Sequence, residues 1–334
     1  MRRRLILFVV VLALLPSLVT PAWAQGSGVI EGQVFDGSTD GAPLEGLPVT
    51  LFAFTGSETE SSSETTTDEE GRFRFEGLQT ERYAYQFEVQ YAGVRYGSEV
   101  MAFAEGQDLI SVPFTVFDST TSDEGLSVQR AHLIFDFQPG TIRVEEVQVF
   151  FNAENATYVG PTGVDEEPTV QFALPEEATA VQLIQGLMEC CVVETETGIA
   201  STLPVFPGTK QFVFSYELHP QTPTYDLARR VVYPTQSLDV LVADVGVEVT
   251  SRGLTGGEVF SLEGGDYIHL SGGNLAAGGD LSLHFDNIPL ETAPPQAPAA
   301  DISVLRWVLI AAIVAVAGAA VAYPLLRVSE EETS

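Results

Sequence analysis

Residues 64–85 read "ETTTDEEGRFRFEGLQTERYAY". An acidic turn, Asp68 to Gly71, leads into a stretch in which Arg72 and Arg74 alternate with Phe73 and Phe75. Strict period-two alternation marks a half-buried strand, because successive side chains point to opposite faces. The phenylalanines then face a core and the arginines face water. A second alternation follows, with Tyr83, Tyr85, Phe87, Val89 and Tyr91 against Ala84, Gln86, Glu88 and Gln90. Asp68, Glu69, Glu70 and Gly71 read as a polar hairpin turn in which Gly71 takes a positive φ. The stretch is therefore expected to turn a corner of a small sandwich. A weak cation site is the competing reading of its carboxylates.

Working outward, the same period recurs and helical periodicity is almost absent between the two ends of the chain. Ile30, Gly32 and Val34 alternate with polar residues, and "LPVTLFAF" (Leu47 to Phe54) is apolar on both faces, as a central strand is. Turn-forming runs such as "DGSTDGAPLEG" and "YAGVRYG" separate these segments. A second region, Leu126 to Leu290, carries further strand candidates: "TIRVEEVQVFF", "TVQFAL", "KQFVFSYEL", "SLDVLVADVGVEVTS", "DYIHLSG" and "LSLHFDNI". In it Phe212, Phe214, Tyr216 and Leu218 form one apolar face, and Leu238, Val240 and Val242 another. The expected fold is all-β, with two β-sandwich domains in series at residues 25–117 and 126–290.

The first region resembles the carboxypeptidase regulatory-like domain, a transthyretin-like (prealbumin-type) sandwich. The resemblance covers about residues 28–103. It rests on Gly32, Val34 and Asp36, then Gly41, Ala42 and Pro43, then Gly46, Val49 and Leu51, and finally Thr67, Asp68, Gly71, Phe73, Phe75, Leu78 and Tyr83. Glu81 stands where the family usually has glycine, which implies a remodelled turn. In carboxypeptidases this domain is an appendage, so the resemblance implies no zinc and no peptidase chemistry here. The related collagen-adhesin B-type repeats often carry a lysine–asparagine crosslink. This region has no lysine, the single one being Lys210, so no such bond forms in it.

The ends speak of address. "MRRRLILFVVVLALLPSLVTPAWAQ" has a basic head, an apolar run and Ala22-Trp23-Ala24 before Gln25, which reads as a signal peptide over residues 1–24. The flanks of a twin-arginine signal are missing, and no cysteine at the cleavage point supports lipoprotein processing. Residues 304–326 include an uncharged run from Trp307 to Leu326, long enough at about 1.5 Å per residue to cross a bilayer as a helix. A Pro- and Ala-rich linker, 291–303, precedes it, and a short acidic tail, 327–334, follows. The expected arrangement is a single-pass plasma-membrane protein, with its bulk extracytoplasmic and its C-terminus cytoplasmic.

Composition excludes some partners. Forty-six acidic residues against 15 basic give a net charge of −31, which repels nucleic acid and anionic lipid. Such acidity holds hydration in a saline habitat, binds cations, or simply confers solubility. Cys190 and Cys191 are too few for a disulfide framework. They read as small apolar strand residues, as a vicinal disulfide, or as a thiol pair that holds soft metal with Met188.

Chemistry-bearing motifs are missing: there is no Gly-x-Ser-x-Gly elbow, no His-Glu-x-x-His, and no phosphate or calcium loop. No cofactor is expected. The glycine-rich "SGGNLAAGGD" (Ser271 to Asp280) reads as a hairpin loop. If Tyr267–Leu270 and Leu281–Phe285 pair around it, His269 and His284 share a face and could hold a metal with Asp266. Tyr96 and Phe54 lie beside turns and are the candidate platform for stacking a sugar ring. The expected function is a non-catalytic adaptor or spacer that presents a binding face to another envelope protein. A carbohydrate-binding module that holds cell-wall or extracellular polysaccharide is the alternative. An enzyme is the third reading, disfavoured because no acid–base–nucleophile set appears.

Overall fold

The computed structural model describes residues 27–290 apart from 165, 263 and 264. The expected signal peptide, linker, membrane span and tail lie outside the described residues. Among the described residues the fold is all-β, and no helix is long and apolar enough to cross a membrane. The chain divides into two compact units, the first ending at Val116 and the second running on from Phe117.

The first unit has eight strands: β1 (Gly28–Asp36), β2 (Ala42–Pro43), β3 (Pro48–Thr55), β4 (Glu58–Thr66), β5 (Arg72–Leu78), β6 (Ala84–Tyr91), β7 (Val94–Gly97) and β8 (Leu109–Val116). In one sheet β1 pairs in parallel with β8 and antiparallel with β5 and the two-residue β2. The other sheet runs β4-β3-β6-β7. Alternation decides the core: Ile30 and Val34, Val49 and Leu51, Phe73 and Phe75, and Tyr85, Phe87 and Val89 are all buried. The Phe87 ring meets Phe73 at 4.9 Å and Phe114 at 4.8 Å, edge to face, which ties the two sheets together.

The turn at Asp68–Gly71 differs from the expected hairpin in one respect. β4 and β5 belong to different sheets, so the turn carries the chain from one layer to the other. Gly71 has φ +73, as expected, and a Cβ there would meet the Val34 carbonyl oxygen at 2.6 Å.

The second unit begins with β9 (Asp118–Thr120) and two long strands, β10 (Leu126–Gln138) and β11 (Thr141–Asn152). Next come β12 (Ala156–Tyr158), β13 (Val170–Ala173), β14 (Thr179–Gln185), β15 (Val192–Thr195) and β16 (Gly198–Ser201). The chain continues through β17 (Gly208–Leu218), β18 (Tyr225–Arg230), β19 (Thr235–Ala243), β20 (Glu248–Ser251), β21 (Thr255–Leu262), β22 (Gly265–Leu275) and β23 (Asp280–Asp286). A seven-stranded sheet is ordered β14-β17-β11-β10-β19-β22-β21, and smaller sheets are ordered β18-β23-β20 and β13-β16-β15. The core lies between them. Phe212, Phe214, Tyr216 and Leu218 are fully buried, and Phe135 meets Phe285 at 5.0 Å across the layers.

The expected hairpin around "SGGNLAAGGD" does not form. β22 runs on through Leu275 and pairs with β19 and β21, while β23 pairs with β18 and β20. Residues 276–279 thus cross from one sheet to another. Period-two patterning reveals a strand and its faces but not its partner, and here the nearest strand in sequence was the wrong one.

Candidate functional site

The corner of the first unit is held by its own side chains. The Asp68 carboxylate accepts the backbone N–H groups of Arg72 at 2.7 Å and Glu70 at 3.0 Å. Thr67 is buried, donates its hydroxyl to the Leu44 carbonyl at 2.6 Å, and accepts the Leu47 N–H at 2.9 Å. Arg74 on the outer face of β5 is shared between Glu31 and Glu76. Thr67 therefore fastens the turn to the Leu44–Leu47 loop, Asp68 closes the turn on itself, and Gly71 leaves room for the Val34 carbonyl. Gly32 has a related task, since a Cβ there would meet the Phe73 ring at 2.4 Å.

The two sugar-platform candidates separate. Tyr96 is only 4% exposed, so it is no platform. It follows Val94 in phase on β7 and both turn inward, the period of the strand overriding the nearness of a turn. Phe54 is half-buried at the end of β3 and borders a cleft of about 860 Å³. Tyr83 and Phe103 also line that cleft, and the Arg82 guanidinium sits 4.9 Å above the Tyr83 ring. Alternation alone puts Tyr83 on the core face with Tyr85. It precedes β6 and is half-buried instead, its ring set edge-on to Tyr85 at 6.3 Å.

The expected metal set is not assembled. His269 on β22 lies 2.8 Å from the Asp239 carboxylate of β19. His284 on β23, in the other sheet, lies 2.7 Å from Asp226 and 3.2 Å from Asp286. Asp266 accepts the Ser261 hydroxyl at 2.6 Å. Among the described residues no three His, Cys, Asp or Glu side chains are spaced to hold a metal ion. Asp239 does gather a second imidazole: His132 of β10 approaches it at 3.7 Å, with Nε2 buried and without a hydrogen-bond partner. Burial pushes the His132 pKa below its ordinary value, and the attraction of Asp239 only partly offsets this. The hydrogen bond to Asp226 pushes exposed His284 the other way.

Cys190 and Cys191 are joined as a disulfide within a three-residue 3-10 turn, Glu189–Cys191. Met188 beside it is exposed, as is Val193 on the strand that follows. The sulfurs are thus engaged with each other, and the reading of plain strand residues gives way.

One buried polar cluster is not among the residues that the sequence motifs single out. Glu146 is fully buried on β11, paired with Arg229 of β18, and accepts a hydrogen bond from the Tyr216 hydroxyl at 3.1 Å and from Gln148 at 2.8 Å. Burial opposes the Arg229 charge, but Glu146 and Tyr216 together hold its pKa above the usual range. The signal was present in "TIRVEEVQVFF": Glu146 stands in phase with Ile142, Val144 and Phe150, all of which face the core.

The surface itself offers a further feature. β21 ends the seven-stranded sheet, among the described residues pairs with β22 alone, and is exposed along almost its whole length. Val259 and Phe260 are 54% and 45% exposed on it.

Residues 29–116 match the family model of the carboxypeptidase regulatory-like domain. The first unit is that domain. Its Gly32, Thr67, Asp68 and Gly71 are the residues that fasten the corner described above. No curated protein matches the chain. Among solved structures, a protein from Pseudomonas aeruginosa described as a candidate carbohydrate binder is 18% identical, with 28% of this chain and 90% of that one covered and a TM-score of 0.20. The full-length major pilin SpaD of Corynebacterium diphtheriae is 11% identical over 78% of this chain and 83% of its own, at a TM-score of 0.22. The major pilin subunit BcpA of Bacillus cereus is 13% identical over 78% and 85%, at 0.20. Likenesses this remote carry no argument about what the regulatory-like domain or its companion unit binds.

Proposed function

We propose that this chain is a membrane-anchored, extracytoplasmic adaptor without catalysis, which presents a binding face to another envelope protein. The observation that carries the reading is β21, an edge strand with no partner on its outer side among the described residues and with Val259 and Phe260 exposed. An open edge with apolar side chains is costly to leave uncovered, because it invites pairing with another chain. Two ionisable groups, in contrast, are committed to holding the fold: Asp68 to its turn, and Glu146 to Arg229 and Tyr216. The signal and span read from the two ends supply the address, and the linker supplies reach.

A photo-crosslinking residue introduced in turn at Phe260, at Phe54 and at Val181, an exposed residue of β14 at the opposite end of the seven-stranded sheet, in the full chain in its native membranes tests this. A discrete protein adduct at Phe260 or Val181 supports the adaptor. Absence of any protein adduct at all three positions contradicts it.

The cleft beside Phe54, Arg82 and Tyr83 favours a second reading, a carbohydrate-binding module. Stacking of sugar rings on exposed aromatic faces is the chemistry such a cleft offers. Saturable binding on a polysaccharide array, lost in Phe54→Ala and Tyr83→Ala, would establish that reading, and no glycan binding would remove it.

A further inference from the structure

The geometry points to strand addition as the mode of docking: β21 takes an extended partner segment in which basic and apolar residues alternate. This inference rests on the adaptor reading and specifies the partner's chemistry. Among the described residues β21 has hydrogen-bonding neighbours on one side only, so its outer edge offers the backbone groups that an added strand would pair with. Its side chains divide by parity. Beyond the bulge at Gly257, Glu258 and Phe260 fall on one face, while Val259 and Ser261 fall on the other. A partner strand laid along this edge meets a carboxylate and an aromatic ring on one face, and an aliphatic group on the other. Lysine or arginine suits the first, as an ion pair with Glu258 and a cation over the Phe260 ring. Valine or isoleucine suits the second, beside Val259.

The surroundings reinforce the sign. Between residues 251 and 270 the acidic residues are Glu258, Glu263 and Asp266, against Arg252 alone among lysines and arginines. The whole chain carries −31. A second copy would bring the same charge and a second Glu258 to the edge, which opposes self-pairing. The segment after Leu290 is also a poor occupant, since Pro294, Pro295 and Pro298 cannot donate to a ladder. A basic, alternating segment of a different protein is left.

The test uses the full chain in detergent and three acetylated, amidated hexapeptides. One alternates lysine and valine, one alternates glutamate and valine, and one is the lysine peptide with a central proline. The lysine–valine peptide is expected to bind at least about tenfold more tightly than either of the others at low salt. Its binding should slow backbone hydrogen exchange at residues 255–262. Glu258→Lys, an exposed substitution that leaves the fold intact, should weaken it by a similar factor. Equal binding of the proline peptide, protection elsewhere but not at 255–262, or no binding of the lysine peptide would each overturn the inference. A crosslinked protein at Val181 together with a silent Phe260 would overturn it while leaving the adaptor reading in place.

Discussion

Glu146, fully buried on β11, pairs across the core of the second unit with Arg229 of β18, a strand of the smaller sheet. Removing one partner leaves the other charge in a low-dielectric interior, and only Arg229 retains a route to water, at 12% exposure. Arg229→Ala should therefore destabilise the second unit by about 3–5 kcal/mol, and Glu146→Ala by somewhat less, because the guanidinium can reach outward. The double change Glu146→Leu with Arg229→Met should recover most of that loss. Urea unfolding followed by backbone hydrogen exchange at residues 141–152 and 208–218 of the second unit checks all three.

The corner of the regulatory-like domain gives a backbone prediction. Gly71→Ala must place a Cβ 2.6 Å from the Val34 carbonyl at a positive φ. A loss of about 2–4 kcal/mol is expected, through strain and a displaced β1–β5 contact. Gly56→Ala also has a positive φ but open space around it, so it should cost about 1 kcal/mol. Thermal melts of the two variants separate collision from backbone strain alone.

Histidine linkage gives a prediction with opposite signs at two sites. Burial lowers the His132 pKa, so on acidification past the ordinary imidazole value of 6.5 the unfolded chain takes up a proton that the native one does not. Stability from this site is therefore lost as pH falls through that range. For His284 the native pKa is raised, mainly by Asp226, so its contribution is present at acid pH and is lost as pH rises through the raised value. His132→Gln should flatten the acid-side fall in Tm, and His284→Gln should steepen it slightly. Melting curves between about pH 5 and 8 measure both slopes.

Charge density predicts a salt response. A chain at −31 repels itself in dilute buffer, and about 0.15 M salt already shortens the range of that repulsion to roughly 8 Å. Tm should rise between low and molar potassium chloride. A flat or falling profile would mean that the carboxylates are locally compensated.

Much of the first unit was legible because its signals are local. Alternation placed Phe73, Phe75, Tyr85, Phe87 and Val89 in the core, and the positive φ of Gly71 followed from its place in a polar turn. Legibility failed where the deciding neighbour was distant in sequence. The pairing of β22 with β19 and β21 separated His269 from His284, and the inward phase of β7 took Tyr96 out of solvent. Glu146 is an intermediate case. Its phase on β11 marked it as a core carboxylate, but its cation lies 83 residues away on β18. The open edge of β21 could not be read at all, because an edge is defined only once every other strand has found its place.

The central claim is that β21 is covered in the cell and bare after purification. Hydrogen exchange of residues 255–262, compared between native membranes and the extracted full chain, measures that directly. Slow exchange in membranes that becomes fast on extraction is the predicted result. The same fast exchange in both would contradict the account.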